Sequence, residues 1–402
     1  MPEPAPVQPA VAVPQAAPGS VGEVAGLFLK LGLIGFGGPA AHIAMMEDEV
    51  VRRRRWLTRE RFLDLLGATN LIPGPNSTEM AIHVGFVRAG WRGLLAGGAC
   101  FILPAMLITL AIAVGYRRYG TLPEATWLLY GVKPVIIAVV VQALWSLTRQ
   151  VLRTPLTGAM AAAVAVLALW GANEVALLFG AALLVPLVRL GATGPAAARG
   201  LVFAGPGTAL ALPAPLAAAA GVAGSAAPPS LVTLTLVFLK VGSILFGSGY
   251  VLLAFLRPDL VERTGWLTDR ELLDAVAVGQ LTPGPVLTTA TFIGYLVAGI
   301  PGAFLATLGI FLPSFVFVAL SNPLVPRLRR SRWAGSFLDG ANAASVALMA
   351  VVMWQLGRAA IVDWLTAWLA LAAAGLLFWL RLNSVWLVLG GAVAGLIAAR
   401  LR

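Results

Sequence analysis

The sequence predicts an all-α, polytopic integral membrane protein made of two homologous repeats, with ten to twelve transmembrane helices that include broken or re-entrant segments. Three observations support this class. Of the 402 residues, 59% are hydrophobic and 11% are charged, whereas soluble domains have about 45–50% apolar and about 25% charged residues. Apolar stretches of the length needed to cross ~30 Å of hydrocarbon recur along the chain. A long sequence unit also occurs twice.

The predicted spans follow one another in two groups. In the first half they lie near 21–44, 65–87, 91–115, 126–148, 155–172 and 174–190, and in the second half near 231–256, 275–298, 302–325, 335–357, 361–380 and 384–400. Residues 1–20 are rich in proline and alanine and lack basic residues, so we interpret them as a disordered tail. The proline-containing region 191–230 is interpreted as a linker. The repeats are therefore 21–190 and 231–402.

Three motifs recur in the same order at a constant offset of 210 positions, as from Lys30 to Lys240. These are Phe28-Leu29-Lys30 with Phe238-Leu239-Lys240, Trp56-Leu57-Thr58 with Trp266-Leu267-Thr268, and Pro73-Gly74-Pro75 with Pro283-Gly284-Pro285. Repeated halves are typical of secondary transporters. Six spans per half would make the repeats parallel and five would make them inverted, and the arginine pattern favours neither.

The net charge of +11 has a membrane explanation. Only three of the basic residues are lysines, and the arginines cluster between apolar runs, as in membrane loops and not as in a nucleic-acid surface. A single cysteine excludes internal disulfides and a cysteine metal site. No nucleotide-binding loop or nucleophile–base constellation is present, so we expect no enzyme, no cofactor and no metal. Transport would then depend on an ion gradient.

The first break in each half is rich in glycine: Gly35-Phe36-Gly37-Gly38-Pro39, mirrored by Leu245-Phe246-Gly247-Ser248-Gly249. Clustered glycine and proline predict an unwound segment, which is tolerated in a membrane only where it lines a cavity or is buried in protein. Backbone donors at Gly37 and Gly38 are therefore candidates for substrate binding. The alternative is close helix packing through small residues.

The second break contains Pro73-Gly74-Pro75, mirrored by Pro283-Gly284-Pro285. The sequence predicts that one helix stops here and another restarts, leaving N–H groups at the new terminus that suit an anion. The predicted binding residues are Asn76, Ser77 and Thr78 in the first half and the hydroxyls of Thr288 and Thr289 in the second. The alternative is a tight surface loop.

Four ionisable side chains interrupt the apolar runs. Lys30 and Lys240 share one repeat position, and a charge at the bilayer centre is taken as functional by default. We therefore predict that both bind the substrate, the alternatives being snorkelling or bracing of backbone carbonyls. Lys133 is a further candidate. Glu79 has no acidic counterpart and is the candidate for proton coupling, with a salt bridge to a lysine as the alternative.

These motifs together resemble the CHR family of chromate ion transporters in its two-domain, long-chain form, and the resemblance spans nearly everything from residue 24 to 400. It implies export of chromate from the bacterial cytoplasm across the inner (plasma) membrane, driven by the proton-motive force and conferring chromate resistance. It also implies oppositely oriented halves. The second copy departs from the pattern at Leu245, Gly249 and Val286-Leu287, which favours the first half as the main substrate determinant.

The sequence thus leads to a secondary transporter for a tetrahedral dianion. The expected partners are a small inorganic oxyanion and the lipid bilayer, without nucleic acid. Sulfate has the same charge and shape as chromate, so an uptake transporter for sulfate or another oxyanion is one alternative. A passive anion channel is another. The oligomeric state is left open, with a homodimer as one option.

Overall fold

The computed structural model describes residues 19–120, 122–191, 229–246, 249–321, 331–380, 382 and 384–401. Within these ranges the chain forms fourteen α-helices and no β-strand, which confirms the all-α class. Most of the predicted tail 1–20 and linker 191–230 lies outside the described residues. In the described part of the chain, four helices are long and apolar enough to cross a membrane, namely Asn76–Tyr119, Glu124–Val151, Val286–Ser321 and Trp333–Ala360.

Within the ranges given above, the helices of the two halves correspond one to one. The first half has α1 Val21–Ile34, α2 Gly38–Glu47, α3 Arg59–Thr69, α4 Asn76–Tyr119, α5 Pro123–Val151, α6 Pro155–Leu169 and α7 Glu174–Gly191. The second half has α8 Leu231–Ile244, α9 Leu252–Arg257, α10 Asp269–Leu281, α11 Thr289–Ser321, α12 Arg332–Ala360, α13 Trp364–Trp379 and α14 Ser384–Leu401. Helices α2 and α9 each continue into a π-helical turn, Asp48–Arg53 and Pro258–Arg263.

The repeated Trp-Leu-Thr motif has a local role, because its threonine caps the next helix. The Thr58 hydroxyl accepts from the Arg61 N–H (3.2 Å) at the start of α3. The Thr268 hydroxyl accepts from the Glu271 N–H (3.2 Å) at the start of α10, and the Glu271 carboxylate accepts in return from the Thr268 N–H. Such a cap stabilises a helix by about 1 kcal/mol, so this motif fixes where α3 and α10 begin.

Helices α4 and α11 each fold back on themselves at a glycine. Gly90 (φ 59°, ψ −148°) and Gly299 (φ 65°, ψ −153°) adopt the same conformation, in a region of backbone space that is essentially restricted to glycine. The two arms then pack through small residues, so that Gly85 lies against the Gly93 carbonyl. We call the arms α4a (76–88) and α4b (91–119), and α11a (289–297) and α11b (300–321).

The predicted spans 21–44 and 65–87 are each split into two arms of a re-entrant hairpin that enters from one end of the bundle. At this first end, the Gly19 N–H donates to the Arg88 carbonyl (3.0 Å). The Arg88 guanidinium lies over the Trp56 ring at 5.0 Å. Gly32, close to the end of α1, instead lies against the Phe101 carbonyl, near the middle of α4b. The α1/α2 hairpin therefore turns at mid-depth, and so does α3/α4a, since Gly74 at its turn lies near Ser314 in the interior of α11b.

The corresponding hairpins of the second half reach mid-depth from the opposite end. Along α4b, Ala105 lies against Gly284 at the second-half tip. Near the C-terminal end of α4b, the Tyr116 hydroxyl donates to Asp274 (2.9 Å) on α10, the helix that leads to that tip. The second-half hairpin therefore enters from the end of the bundle where α4b finishes. Helices α4b and α11b also run antiparallel, since Leu94 shares one small buried cluster with Val318, while Gly98, farther along α4b, lies against Phe315, which is earlier in α11b. The repeats are therefore inverted, which decides between the two orientations that the sequence left open.

The two repeats exchange helices. Helix α5 of the first half packs against α13 and α14 of the second, and α12 of the second half packs against α6 and α7 of the first. Close approach depends on small residues at matched positions. Gly131 lies against Gly391 and Gly395, and its counterpart Gly340 lies against Ala181 and Ala182. Small residues at such seams let helix backbones come close together inside a membrane.

The inverted arrangement predicts opposite accessibility of Glu60 and Arg270, exposed residues at matched positions on α3 and α10. In a Cys100→Ala background, we expect a membrane-impermeant maleimide to label Glu60→Cys and Arg270→Cys from opposite sides of the membrane. One variant should react in right-side-out spheroplasts and the other only in everted vesicles. Labelling of both from the same side would contradict the inversion.

Candidate functional site

The broken segments of both halves meet at the centre of the bundle. The Gly74 N–H donates to the Leu245 carbonyl (2.8 Å), and the Gly284 N–H donates to the Gly35 carbonyl (2.7 Å). Gly74 and Gly284 occupy the same repeat position, and so do Gly35 and Leu245. Each Pro-Gly-Pro tip therefore binds the break of the opposite half, and the two hydrogen bonds are related by the pseudo-two-fold symmetry.

The sequence of the tip explains why this bond is formed by glycine. Proline has no N–H, so a Pro-Gly-Pro segment offers one backbone donor, that of its glycine. Both glycines have positive φ angles, 145° for Gly74 and 87° for Gly284, which side chains rarely adopt. A buried backbone donor without a partner is costly, and in each half the glycine donor is paired across the repeat boundary.

The first turn of α4 has fewer available donors than the sequence suggested. The Thr78 N–H donates to the Pro75 carbonyl (2.8 Å), so it is not free for an anion. The Asn76 amide donates to Asn70 Oδ1 (2.7 Å) and closes the loop before the helix. The Ser77 side chain is buried at this terminus. The Thr78 hydroxyl is fully buried and has no hydrogen-bond partner among the described residues.

In the second half, the two predicted hydroxyl donors point back to the chain. Thr288 Oγ1 donates to the Pro285 carbonyl (2.9 Å), and Thr289 Oγ1 donates to the Val286 carbonyl (2.8 Å). Threonine competes for nearby backbone carbonyls in this way because its hydroxyl is close to the main chain. The hydrogens that we expected to face an oxyanion are therefore bound locally in this conformation.

The first glycine-rich break is more open than the Pro-Gly-Pro tips. Gly37 is exposed with φ 104°, and Gly38 has φ 77° with no atoms near the place a side chain would take. Helix α2 starts at Gly38, with Pro39 in its first turn. The buried His42 ring lies 2.9 Å from the Gly35 carbonyl through Nε2. His42 therefore helps to hold the break.

Glu79 is fully buried on α4a beside the first tip. Neither of its carboxylate oxygens has a hydrogen-bond partner among the described residues, so no lysine of that part of the chain forms the alternative salt bridge. The place that a Cβ on Gly74 would occupy is next to the Glu79 carboxylate and 2.6 Å from the Ser314 hydroxyl. Ser314 belongs to α11b of the other half, is also buried, and likewise has no described partner.

The two matched lysines form matched ion pairs with carboxylates in the π-helical turns that follow α2 and α9. Lys30 Nζ lies 2.7 Å from Glu49, and Lys240 pairs with Asp259. Sequence reasoning missed these carboxylates, although each follows its lysine at the same spacing. The ammonium of Lys30 and the guanidinium of Arg54 hold the pKa of the Glu49 carboxyl below its usual value.

The surroundings of the two pairs differ. The Glu49 carboxylate also contacts Arg54 (3.1 Å) and Arg53 (3.8 Å), and the Lys30 side chain stays 49% exposed. Lys240 is 17% exposed, because Glu174 from the first half joins its cluster at 3.6 Å. Basic groups therefore exceed acidic groups in the first cluster, whereas acids and bases balance in the second.

Further ion pairs join the halves away from the tips. Lys133 Nζ lies 3.1 Å from Asp274, and Arg263 binds Glu174 at 2.7 Å.

Beside the Arg263–Glu174 pair is a cavity of about 360 Å³ between the α6–α7 turn, α9 and α12. It lies at the outer end of the second-half hairpins and contains none of the predicted substrate-binding residues.

Comparison with known proteins gives matches over nearly the whole chain. A family model described as chromate transporter matches residues 22–186 and again residues 232–396. A chromate transport protein of Cupriavidus metallidurans is 34% identical and covers 92% of this chain and 91% of its own length. A chromate transport protein of Pseudomonas aeruginosa is 32% identical, covering 92% and 90%. An uncharacterised transporter of Methanocaldococcus jannaschii is 26% identical, covering 92% of each chain. No solved structure matches.

The tip contact predicts that Gly284→Ala destabilises the fold more than Gly171→Ala. The two glycines have nearly equal φ angles, 87° and 85°, so both substitutions introduce backbone strain of about 1 kcal/mol or more. A Cβ on Gly284 would also lie 2.8 Å from the Ala105 methyl, whereas Gly171 has open space. Such overpacking costs about 1–3 kcal/mol. Thermal denaturation in detergent measures the difference, and equal losses would contradict the tight tip contact.

Proposed function

The chain belongs to the chromate transporter family, and on that premise we propose that it exports chromate from the bacterial cytoplasm across the inner membrane in exchange for protons. The names of its relatives support chromate as the substrate. Export and coupling to the proton-motive force are carried over from the family resemblance and are the parts of the proposal that need a test.

The observation that carries the proposal is the meeting of broken helices at mid-depth. Helices α2 and α4 begin there at Gly38 and Asn76. In the second half, the 3₁₀ turns that begin at Gly249 and Val286 lead directly into α9 and α11. A helix N-terminus carries roughly half a positive elementary charge. Helix starts from both halves would therefore favour a small dianion at the centre, without a resident cation or metal.

We assign the main contacts to the first half. Its Gly37-Gly38 segment is open, and it is followed by the α2 terminus. Asn76 and Ser77 form the start of α4 directly after the first Pro-Gly-Pro tip. In this proposal Thr78, Thr288 and Thr289 line the path, and the hydroxyls of the two second-half threonines turn from their carbonyls toward the anion when it passes.

The lysines have different proposed roles because their surroundings differ. The excess of positive charge around Lys30 suits recruitment of a dianion, since a positive surface raises the local concentration and the association rate of an anion. Lys240 is largely neutralised by Asp259 and Glu174, so its proposed contribution to binding is smaller. The first end of the bundle, with the Arg52-Arg53-Arg54-Arg55 run, would face the cytoplasm by the positive-inside rule.

Glu79 is the proposed coupling group. A buried carboxylate with no counter-charge takes up a proton, because burying its ionised form costs far more free energy. Exchange of that proton as the substrate crosses would link the two fluxes, and ionisable groups at membrane depth commonly have this role.

The deciding experiment is uptake of radiolabelled chromate into everted vesicles with an imposed proton gradient. We expect accumulation against the chromate gradient that collapses when a protonophore is added. Vesicles without the protein are the control. Chromate flux that equilibrates without responding to the gradient would contradict antiport and indicate a channel. Strong inhibition by equimolar sulfate, with sulfate itself accumulated, would indicate a general oxyanion transporter.

A second prediction concerns Lys30. We expect Lys30→Gln to lower uptake roughly tenfold at low chromate, equivalent to about 1.4 kcal/mol, because an attracting charge is lost. The effect should shrink at high salt, where surface charges are screened.

The single variant Glu49→Gln separates recruitment from a structural role of the ion pair. It removes a negative charge from the Lys30 cluster, so uptake at low chromate should rise if the excess of positive charge attracts the anion. A fall of uptake to the level of Lys30→Gln would contradict recruitment, and would assign Lys30 to holding Glu49 in place.

A further inference from the structure

We propose that Glu79 and Ser314 form a single proton-binding site shared by the two halves, in which the Ser314 hydroxyl donates to the Glu79 carboxylate when the proton leaves. This inference rests on the proposed proton coupling and names the second residue of the coupling site. Ser314 is on α11b and Glu79 on α4a, so the site spans the boundary between the repeats.

The geometry brings the two side chains to one point of the tip. Both lie against the place that a Cβ on Gly74 would occupy, with Ser314 Oγ 2.6 Å from it. Both side chains are 0% exposed, and none of their oxygens has a described hydrogen-bond partner. Buried polar groups are normally paired, so an unpaired carboxylate facing an unpaired hydroxyl indicates a pair that forms in another protonation state.

The repeat symmetry shows that this pair occurs once. The counterparts of Glu79 and Ser314 are Thr289 and Ala105, which lie at the tip of the other half. Ala105 is next to Gly284 just as Ser314 is next to Gly74. Because neither counterpart can carry a titrating proton, the chain has one such site and not two symmetric ones.

Other titratable groups around this point are held by different partners or lie along the same helix. Helix α11 has no charged side chain. His83 is one turn farther along α4a and makes its own contacts. Neighbouring elements contribute His42, bound to the Gly35 carbonyl, Lys30, paired with Glu49, and Asp274, paired with Lys133. Two unpaired hydroxyls of the described residues are therefore near, that of Thr78, the preceding residue on α4a, and that of Ser314, which alone of the two lies with the carboxylate against the Gly74 tip.

The proton balance is simple. Protonated Glu79 can donate its O–H to Ser314 Oγ. When the proton leaves to the transport path, the serine hydroxyl rotates and donates to the carboxylate, so no other group changes its protonation. Because the hydroxyl is on the opposite half, loss of the proton tightens the contact between α11b and the Gly74 tip. This tightening gives the proton a way to act on the relative position of the halves.

The test uses the purified full-length protein in proteoliposomes and compares Ser314→Ala and Glu79→Gln with the wild type. A hydrogen bond to a charged group contributes about 1.5–3 kcal/mol. We therefore expect Ser314→Ala to move the midpoint of the pH dependence of chromate transport upward by about one to two units, since the ionised carboxylate loses its donor. Ser345→Ala, which removes another buried, unpartnered hydroxyl on α12, should leave the midpoint unchanged.

Chromate–chromate counterflow separates failure of the site from failure of the transporter. Glu79→Gln should keep counterflow and lose proton-driven accumulation. Proton-driven accumulation that survives in Glu79→Gln, or an unchanged midpoint in Ser314→Ala, would overturn the site while leaving the transporter intact. Accumulation by the wild type that follows a sodium gradient instead would overturn a proton as the occupant. Absence of chromate flux in the wild type would overturn the proposed function itself.

Discussion

A Pro-Gly-Pro segment has one backbone N–H donor, and in each half of this protein that N–H donates a hydrogen bond to a backbone carbonyl of the opposite half. The bonds from Gly74 to Leu245 and from Gly284 to Gly35 hold the tips of hairpins that enter from opposite ends of the bundle. Because an unsatisfied backbone donor at this depth costs several kcal/mol, the tips are stable at mid-depth only together. The inverted arrangement and the central site both depend on this exchange.

Charge is distributed around that centre in an unequal way, although the backbone is nearly symmetric. The Lys30 cluster keeps an excess of positive charge, whereas Glu174 balances the Lys240 cluster. Near the tips, Glu79 and Ser314 have Thr289 and Ala105 as counterparts. The backbone frame is common to both halves, so the differences that the proposed binding and coupling sites require come from unequal side chains. Duplication thus accounts for the symmetric backbone, and the side-chain differences between the two copies account for the unequal charge and hydrogen bonding around the centre.

The fold class and the positions of the helix breaks could be predicted because they depend on local properties. Apolar length, glycine clusters and Pro-Gly-Pro act within a few residues. The ion pair of Lys30 with Glu49 was also within reach, since Lys240 and Asp259 repeat its spacing. The hydroxyls of Thr288 and Thr289 were not, because whether a threonine faces a ligand or a backbone carbonyl is set by the turn geometry of the folded tip.

By itself, the sequence determined that this is a duplicated membrane protein of the chromate transporter family, broken twice in each half. These conclusions follow from composition, motif order and local helix energetics. Only the tertiary structure decided that the halves are inverted, that they exchange helices, and that Ser314 lies beside Glu79. The reason is physical, since such contacts join residues far apart in the chain, and their formation depends on how small residues such as Gly131 and Gly340 let whole helices pack.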